Sequence, residues 1–159
     1  MKKTGKVIAV CRSDKKGTSK DVVPCGEFRE GFGMVNDAHA DFATHRQVSL
    51  LATESIDKMR KLGLELTPGA FAENLTTEGI DLVSIPVGTK VKVGKEVVLE
   101  ISQIGKECHA GCAIFQKVGK CVMPKEGVFG KVVKGGTIVA GDKIAVIEQT
   151  GIGARKADK

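Results

Sequence analysis

Two cysteines and a histidine fall within five positions in Gly105-Lys106-Glu107-Cys108-His109-Ala110-Gly111-Cys112, and a third cysteine, Cys121, follows. The reactive form of a cysteine is its thiolate, which is favoured beside cations. Lys106 and His109 favour the thiolate at Cys108, whereas Glu107 opposes it. Three chemistries are open to such a cluster. Cys108, as a thiolate, can act as a nucleophile or ligate a soft metal. Cys108, Cys112, Cys121 and His109 together supply enough ligands for a structural zinc site, although Cys-x3-Cys-x8-Cys is looser spacing than paired C-x2-C motifs. Cys112 or Cys121 can also resolve a sulfenic acid formed at Cys108, which is the behaviour of a redox sensor. A buried cysteine that merely packs is the plain alternative.

A second polar cluster lies upstream. Asn36-Asp37-Ala38-His39-Ala40-Asp41-Phe42-Ala43-Thr44-His45-Arg46 holds two histidines, two aspartates and an arginine. Such dense polarity argues against simple core packing. A loop tied by Asp and Asn side chains to its own backbone is the structural alternative. The stretch Arg12–Asp21 is polar and basic; it reads as a solvated loop or as an arm that closes on an anion.

The elements that position these clusters are mostly strands. Lys6–Cys11, Lys90–Val93, Val97–Ile104, Val128–Val133 and Lys143–Glu148 are β-branched or alternating runs bounded by glycine-containing turns. Gly94-Lys95-Glu96 joins two of them as a hairpin. Cys108 thus follows the end of a strand, where a scaffold positions a loop. Ala70–Leu75 reads as a further short strand, with Thr76–Gly79 as a turn. Turns are also read at Lys134-Gly135-Gly136 and Ala140-Gly141-Asp142. Helical spacing of Leu51 or Ala52, Ile56, Met59 and Leu62 predicts a helix over 50–62, with Ser49 as N-cap and Gly63 beyond its basic last turn. Short strands with one longer helix and short peripheral helices predict a mainly β barrel or sandwich.

The chain has 159 residues, a length that suits one domain. We expect that domain over 1–149 and a disordered tail over 150–159. Twenty glycines fit a chain of many tight turns, and the absence of tryptophan and tyrosine weakens a base-stacking surface. The net charge of +6 comes from scattered lysines, so solubility is preferred to a nucleic-acid partner. Five cysteines without a secretory signal point to reduced thiols and a cytoplasmic protein, and no apolar run is long enough to span a membrane. No P-loop, G-x-G-x-x-G turn or G-x-S-x-G elbow is present.

Taken in order, the motifs resemble the MOSC domain, named for the C-terminal part of molybdenum-cofactor sulfurase. Gly33-x-x-x-Asp37-x-His39 is similar to the family's early motif, and Arg46-Gln47-Val48-Ser49-Leu50-Leu51 to its R-x-V-S-L-L segment. Pro68-Gly69-Ala70-Phe71-Ala72-Glu73-Asn74-Leu75-Thr76, with Gly79-Ile80-Asp81-Leu82, resembles its central signature. The Lys90–Gly94 hairpin, the strand leading to Cys108, Gly127-Val128-Phe129 and Gly135-Gly136…Gly141-Asp142 resemble the remaining motifs. Asn36 and Ala72 stand where relatives often carry glycine, and Cys112 and Cys121 are additional thiols.

The resemblance implies a MOSC-type β-barrel that binds the molybdenum cofactor (molybdopterin), carries sulfur on Cys108, or both. It implies a sulfur transferase or a component of a molybdenum-dependent oxidoreductase. Pyridoxal phosphate would enter only through a partner sulfurase domain, since this chain is too short to hold one as well. The implied partners are a cysteine desulfurase or other sulfur donor, and a molybdoenzyme or cofactor-synthesis protein. By the same resemblance Asp37, His39, Arg46, Glu73, Asn74 and His109 are candidate cofactor-binding residues, and Cys108 is the catalytic thiol and a candidate molybdenum ligand. Arg46 offers a planar fork suited to phosphate. Asp37 and Glu73 would accept from pterin nitrogens or pin neighbouring loops. A structural zinc module, or a regulatory module that senses the cofactor without catalysis, is the competing class.

Overall fold

The computed structural model describes residues 2–15, 19–38, 40–63, 65–105 and 126–148. Their strands are β1 (Thr4–Arg12), β2 (Asp21–Val23), β3 (Cys25–Arg29), β4 (Gly33–Met34), β5 (Val48–Ala52), β6 (Leu75–Glu78), β7 (Lys90–Val93), β8 (Val97–Ile104), β9 (Val128–Lys134), β10 (Gly136–Val139) and β11 (Lys143–Glu148). Helix α1 (Thr53–Arg60) follows β5, and Leu82–Ser84 forms a single 3-10 turn. The ladder runs β11-β7-β8-β9-β5-β6-β1, and β1 pairs back onto β11. Seven strands therefore close into a barrel, with β2 added beside β1. The mainly β barrel expected from the sequence is the fold observed. A small second sheet, β10-β3-β4, packs beside it.

The barrel interior holds Val7, Leu50, Leu75, Val91, Val93, Val97, Leu99, Ile101, Val128 and Ile144, all fully buried. A second cluster, outside the wall, joins Leu51, Ile56, Met59, Phe71 and Phe129. Leu50 and Leu51 are neighbours in sequence, yet they belong to different clusters. This explains the main departure from the sequence reading. Residues 48–52 form a strand buried on both faces, and the helix begins only at Thr53, with Ala52 at its N-cap and no side-chain cap. A short run that is apolar at every position does not distinguish a two-sided strand from a helix. The helical periodicity holds for Ile56 and Met59, which are buried, and fails at Leu62, which is exposed.

A second correction concerns the central signature. Residues 68–71 form a turn, and the strand occupies Leu75–Glu78. It pairs in parallel with β5 and antiparallel with β1. Thr76 and Thr77 are fully buried because this strand, too, is covered on both sides. The turn expected at 134–136 is brief and leads directly into β10, which pairs with β3.

Candidate functional site

Each described candidate is placed by a different device. Arg46 sits just before β5, exposed, with its guanidinium carbon 5.9 Å from the centre of the Phe129 ring. Phe129 lies near the start of β9, opposite Ser49 on one side and Gln103 on the other. Gly105, just beyond β8, donates its N–H to the Gly127 carbonyl at 2.6 Å. That bond closes a neck through which the chain leaves for the cysteine segment and returns to β9. Ser102 on β8 donates its hydroxyl to the His45 carbonyl at 2.7 Å, which fixes the Arg46 loop against the same neck. Arg46 and the base of the Cys108 segment thus share one end of the barrel. Cys108, His109, Cys112, Cys121 and His39 lie outside the described residues.

Asp37, Glu73 and Asn74 are set differently. All three are buried. The Asp37 Oδ1 accepts from the Lys20 ammonium at 2.8 Å and from the Ser13 N–H at 3.1 Å. The Lys20–Asp37 pair is shut off from water on both sides, and breaking such a pair by removing one partner costs about 3–5 kcal/mol. Asp37 also contributes to a cleft of about 600 Å³ lined by Arg12, Ser13, Asp14, Asp21, Asn36 and Ala38 among others.

Glu73 accepts from Thr76 Oγ1 at 2.6 Å, from the Gly69 N–H at 2.8 Å and from the Phe71 N–H at 3.2 Å. Burial pushes its carboxyl pKa up, and these three donors oppose the shift. Gly69 takes a φ of +91°, and a Cβ there would strike the Lys20 carbonyl. Glu73 therefore braces a turn that only glycine fits. Asn74 bridges strands: its Oδ1 accepts from the Ser49 N–H at 3.0 Å, and its Nδ2 donates to the Cys11 carbonyl at 3.2 Å. It joins β5 to β1 one residue before the β6 ladder begins.

Cys11 lies in this same buried cluster. Burial, followed by the nearby Glu73 carboxylate, raises its pKa to about 12, against the pull of Thr76 and Lys20. Its thiol stays protonated at neutral pH, as expected of a packing cysteine.

The sequence reading passed over Gln47, the residue that organises the Arg46 loop. Its buried amide donates to the Gly31 and Thr44 carbonyls at 2.9 Å and to the Asp41 carbonyl at 3.3 Å, while its Oε1 accepts from the Val132 N–H at 3.0 Å. The only hint in the sequence was its place beside Arg46 in a recognisable motif.

Among the described residues no group of three His, Cys, Asp or Glu is arranged to hold a metal, and no helix is long and apolar enough to cross a membrane. The candidate zinc ligands fall in the cysteine segment, outside those residues.

A closed seven-stranded barrel, with a helix on its outer wall and a cysteine segment leaving one end, is the class of module that fold and site define. The chain belongs to the MOSC domain family, whose model matches residues 37–145. Its fold is similar to that of the YUAD protein from Bacillus subtilis, with a TM-score of 0.75 and 18% identity, covering 90% of this chain and 95% of that one. YiiM from Geobacillus stearothermophilus gives a TM-score of 0.71 at 20% identity, covering 94% of this chain and 78% of that one. YiiM from Escherichia coli gives 0.63 at 18% identity, over 92% and 72%. At these identities the likeness is one of fold. Comparison with curated proteins returns no match.

Proposed function

We propose that this protein serves molybdenum-cofactor chemistry by carrying sulfur on Cys108 at the Arg46 end of the barrel. The observation that carries the reading is the shared neck. Arg46 lies over Phe129, and Phe129 lies two residues past Gly127, whose carbonyl closes the base of the Cys108 segment.

Of the candidate donors, Arg46 is the one described at this end, and it suits an anionic cofactor. The Arg46 guanidinium is exposed and pairs with no carboxylate among the described residues, so its N–H edge is available to a phosphate. By the family resemblance, Cys108 would supply a soft thiolate, and His39 and His109 ring nitrogens for hydrogen bonding. Asp37, Glu73 and Asn74 would act indirectly, because their polar atoms already hold the surrounding turns. A bound molybdenum cofactor would supply a redox-active metal centre. Cys108 itself does separate chemistry: its thiolate attacks the outer sulfur of a donor persulfide. A new S–S bond forms at Cys108, the donor's S–S bond breaks, and the donor cysteine leaves as a thiolate.

The test is intact-mass analysis of the reduced, metal-free protein after incubation with cysteine and a cysteine desulfurase. Wild type is expected to gain one sulfur that a thiol reductant removes. Cys108→Ser should gain none, whereas Cys112→Ser and Cys121→Ser should gain as wild type does. Equal sulfur on Cys108→Ser and wild type would remove Cys108 from the role. A zinc atom that co-purifies in equal proportion and whose chelation unfolds the chain would favour the structural zinc reading instead.

A further inference from the structure

We infer that a pocket at one mouth of the barrel binds a free aliphatic α-amino acid; this stands independently of the sulfur-carrying reading. The pocket lies where β5 and β6 end and β1 begins, and its volume is about 470 Å³. That is room enough for one small molecule, and barrel mouths commonly hold such ligands. Its floor is apolar. Ile80 and Leu82 belong to the interior cluster of the barrel, and Ala52 packs against that cluster. Val83, 41% exposed, adds further apolar surface. None of Asp37, Arg46, Glu73 and Asn74 lines this pocket.

The polar groups around the floor include a place for a carboxylate. Ala52 is the N-cap of α1 and supplies no side-chain cap, so the first turn of the helix keeps N–H groups that no cap satisfies. Ser55, in that turn, lines the pocket and is only 7% exposed. Its hydroxyl has no hydrogen-bond partner among the described residues. Lys2 also lines the pocket; it is exposed and forms no ion pair among the described residues. A buried hydroxyl without a partner, an uncapped helix amino end and an ammonium group together favour a carboxylate.

The opposite charge is present too. Glu54 accepts the Gly79 N–H on Oε2 at 2.9 Å, and Asp81 accepts the Ser84 hydroxyl on Oδ2 at 2.8 Å. Neither carboxylate pairs with a cation among the described residues, so each keeps its charge and a second oxygen. Lys58 and Glu126, also in the lining, pair with each other at 2.8 Å. A simple anion would meet Glu54 and Asp81. A simple cation would meet Lys2 and the positive end of α1. A zwitterion answers both, with its carboxylate toward Ser55 and Lys2 and its ammonium toward Glu54 and Asp81. The floor of Ala52, Ile80 and Leu82 then favours an aliphatic side chain over a polar one.

The test is titration calorimetry of the full chain with three probes. They are L-leucine, 4-methylpentanoate, which lacks the ammonium, and 3-methylbutylamine, which lacks the carboxylate. Leucine is expected to bind about tenfold more tightly than either, the worth of one hydrogen bond to a charged group. Lys2→Ala and Ser55→Ala should each weaken leucine by about fivefold. Both should keep the wild-type thermal midpoint, since neither side chain has a partner in the fold to lose. Glu54→Gln keeps an acceptor for the Gly79 N–H and loses only the charge, so it should weaken leucine and the amine and spare the acid. Backbone amide signals of residues 52–55 and 79–83 should shift as leucine is added. Leucine that does not bind, or binds no better than the acid or the amine, would overturn the inference. Wild-type affinity in both Lys2→Ala and Ser55→Ala, or amide shifts confined to other residues, would overturn it as well.

Discussion

Among the described residues, two without a glycine's freedom adopt a glycine's backbone: Asn36 has a φ of 70° and Ala72 a φ of 66°. The left-handed region costs an L-residue about 1–2 kcal/mol through its Cβ, less for Asn, whose side chain bonds locally. These are the two positions where the sequence departs from the glycine common in the family's motifs, so the departure has a physical meaning. Ala72 is held in place because its N–H reaches the Gly69 carbonyl at 2.9 Å and its carbonyl accepts from the Ser49 hydroxyl at 3.2 Å. Ala72→Gly should therefore stabilise the protein by about 1 kcal/mol, seen as a rise of about 2–4 °C in thermal unfolding. Asn36→Gly should gain less. A lower midpoint for Ala72→Gly would show that the strain is absent or relieved elsewhere. The neighbouring Glu73 and Asn74 mark what a sequence conceals at this scale. Their identities and their motif are legible. Their partners are mostly backbone groups of Gly69, Phe71, Ser49 and Cys11, which leave no trace in residue types.

Elements were legible where local pattern settles the matter. The β7–β8 hairpin pairs Val93 with Val97 and Val91 with Leu99, as strict alternation around Gly94 implies. The β5–α1 boundary was hidden because Leu50 and Leu51 are apolar for different reasons, one facing the barrel interior and one the helix. The loop before β5 was hidden too, since one buried glutamine rather than any pattern shapes it. Gln47→Ala would strip the Gly31, Asp41 and Thr44 carbonyls of a donor and leave the Val132 N–H buried without an acceptor. A buried polar group left unpaired costs about 1–3 kcal/mol, so the variant should lose about 3 kcal/mol in urea unfolding. The Val132 amide should exchange its hydrogen markedly faster than in wild type. Unchanged protection at Val132 would mean that the loop is held by something other than this side chain.

At the scale of the molecule, what matters is closure, which no local pattern announces. β1 meets β11 through Thr4 with Ala145, Gly5 with Ile144 and Lys6 with Lys143, pairings between the two ends of the described chain. Closure leaves β2 as the short strand beside β1, with the charged Asp21 at its start, a common way to blunt a sheet edge. It also fixes the end from which the cysteine segment departs, because the neck between β8 and β9 belongs to the closed ring. Gly5 on β1 also lies hard against the chain on its other side. A Cβ on Gly5 would overlap the Glu78 carbonyl oxygen and lie 2.6 Å from the Ile80 nitrogen. Both are backbone atoms, so no side chain can rotate away. Either β1 must retreat from β6 or the β1–β11 seam must stretch. Gly141 provides the contrast: a Cβ there meets nothing within 4 Å, and the cost of substitution is set by its φ of +98° alone. Gly141→Ala should lose about 1 kcal/mol through backbone strain. Gly5→Ala should lose about 3 kcal/mol through overpacking, with a correspondingly larger drop in the thermal midpoint. Hydrogen exchange should place the added opening at the amides shared by β1, β6 and β11. If the two variants unfold alike, the contact at Gly5 does not limit closure, and the seam tolerates more displacement than its packing implies.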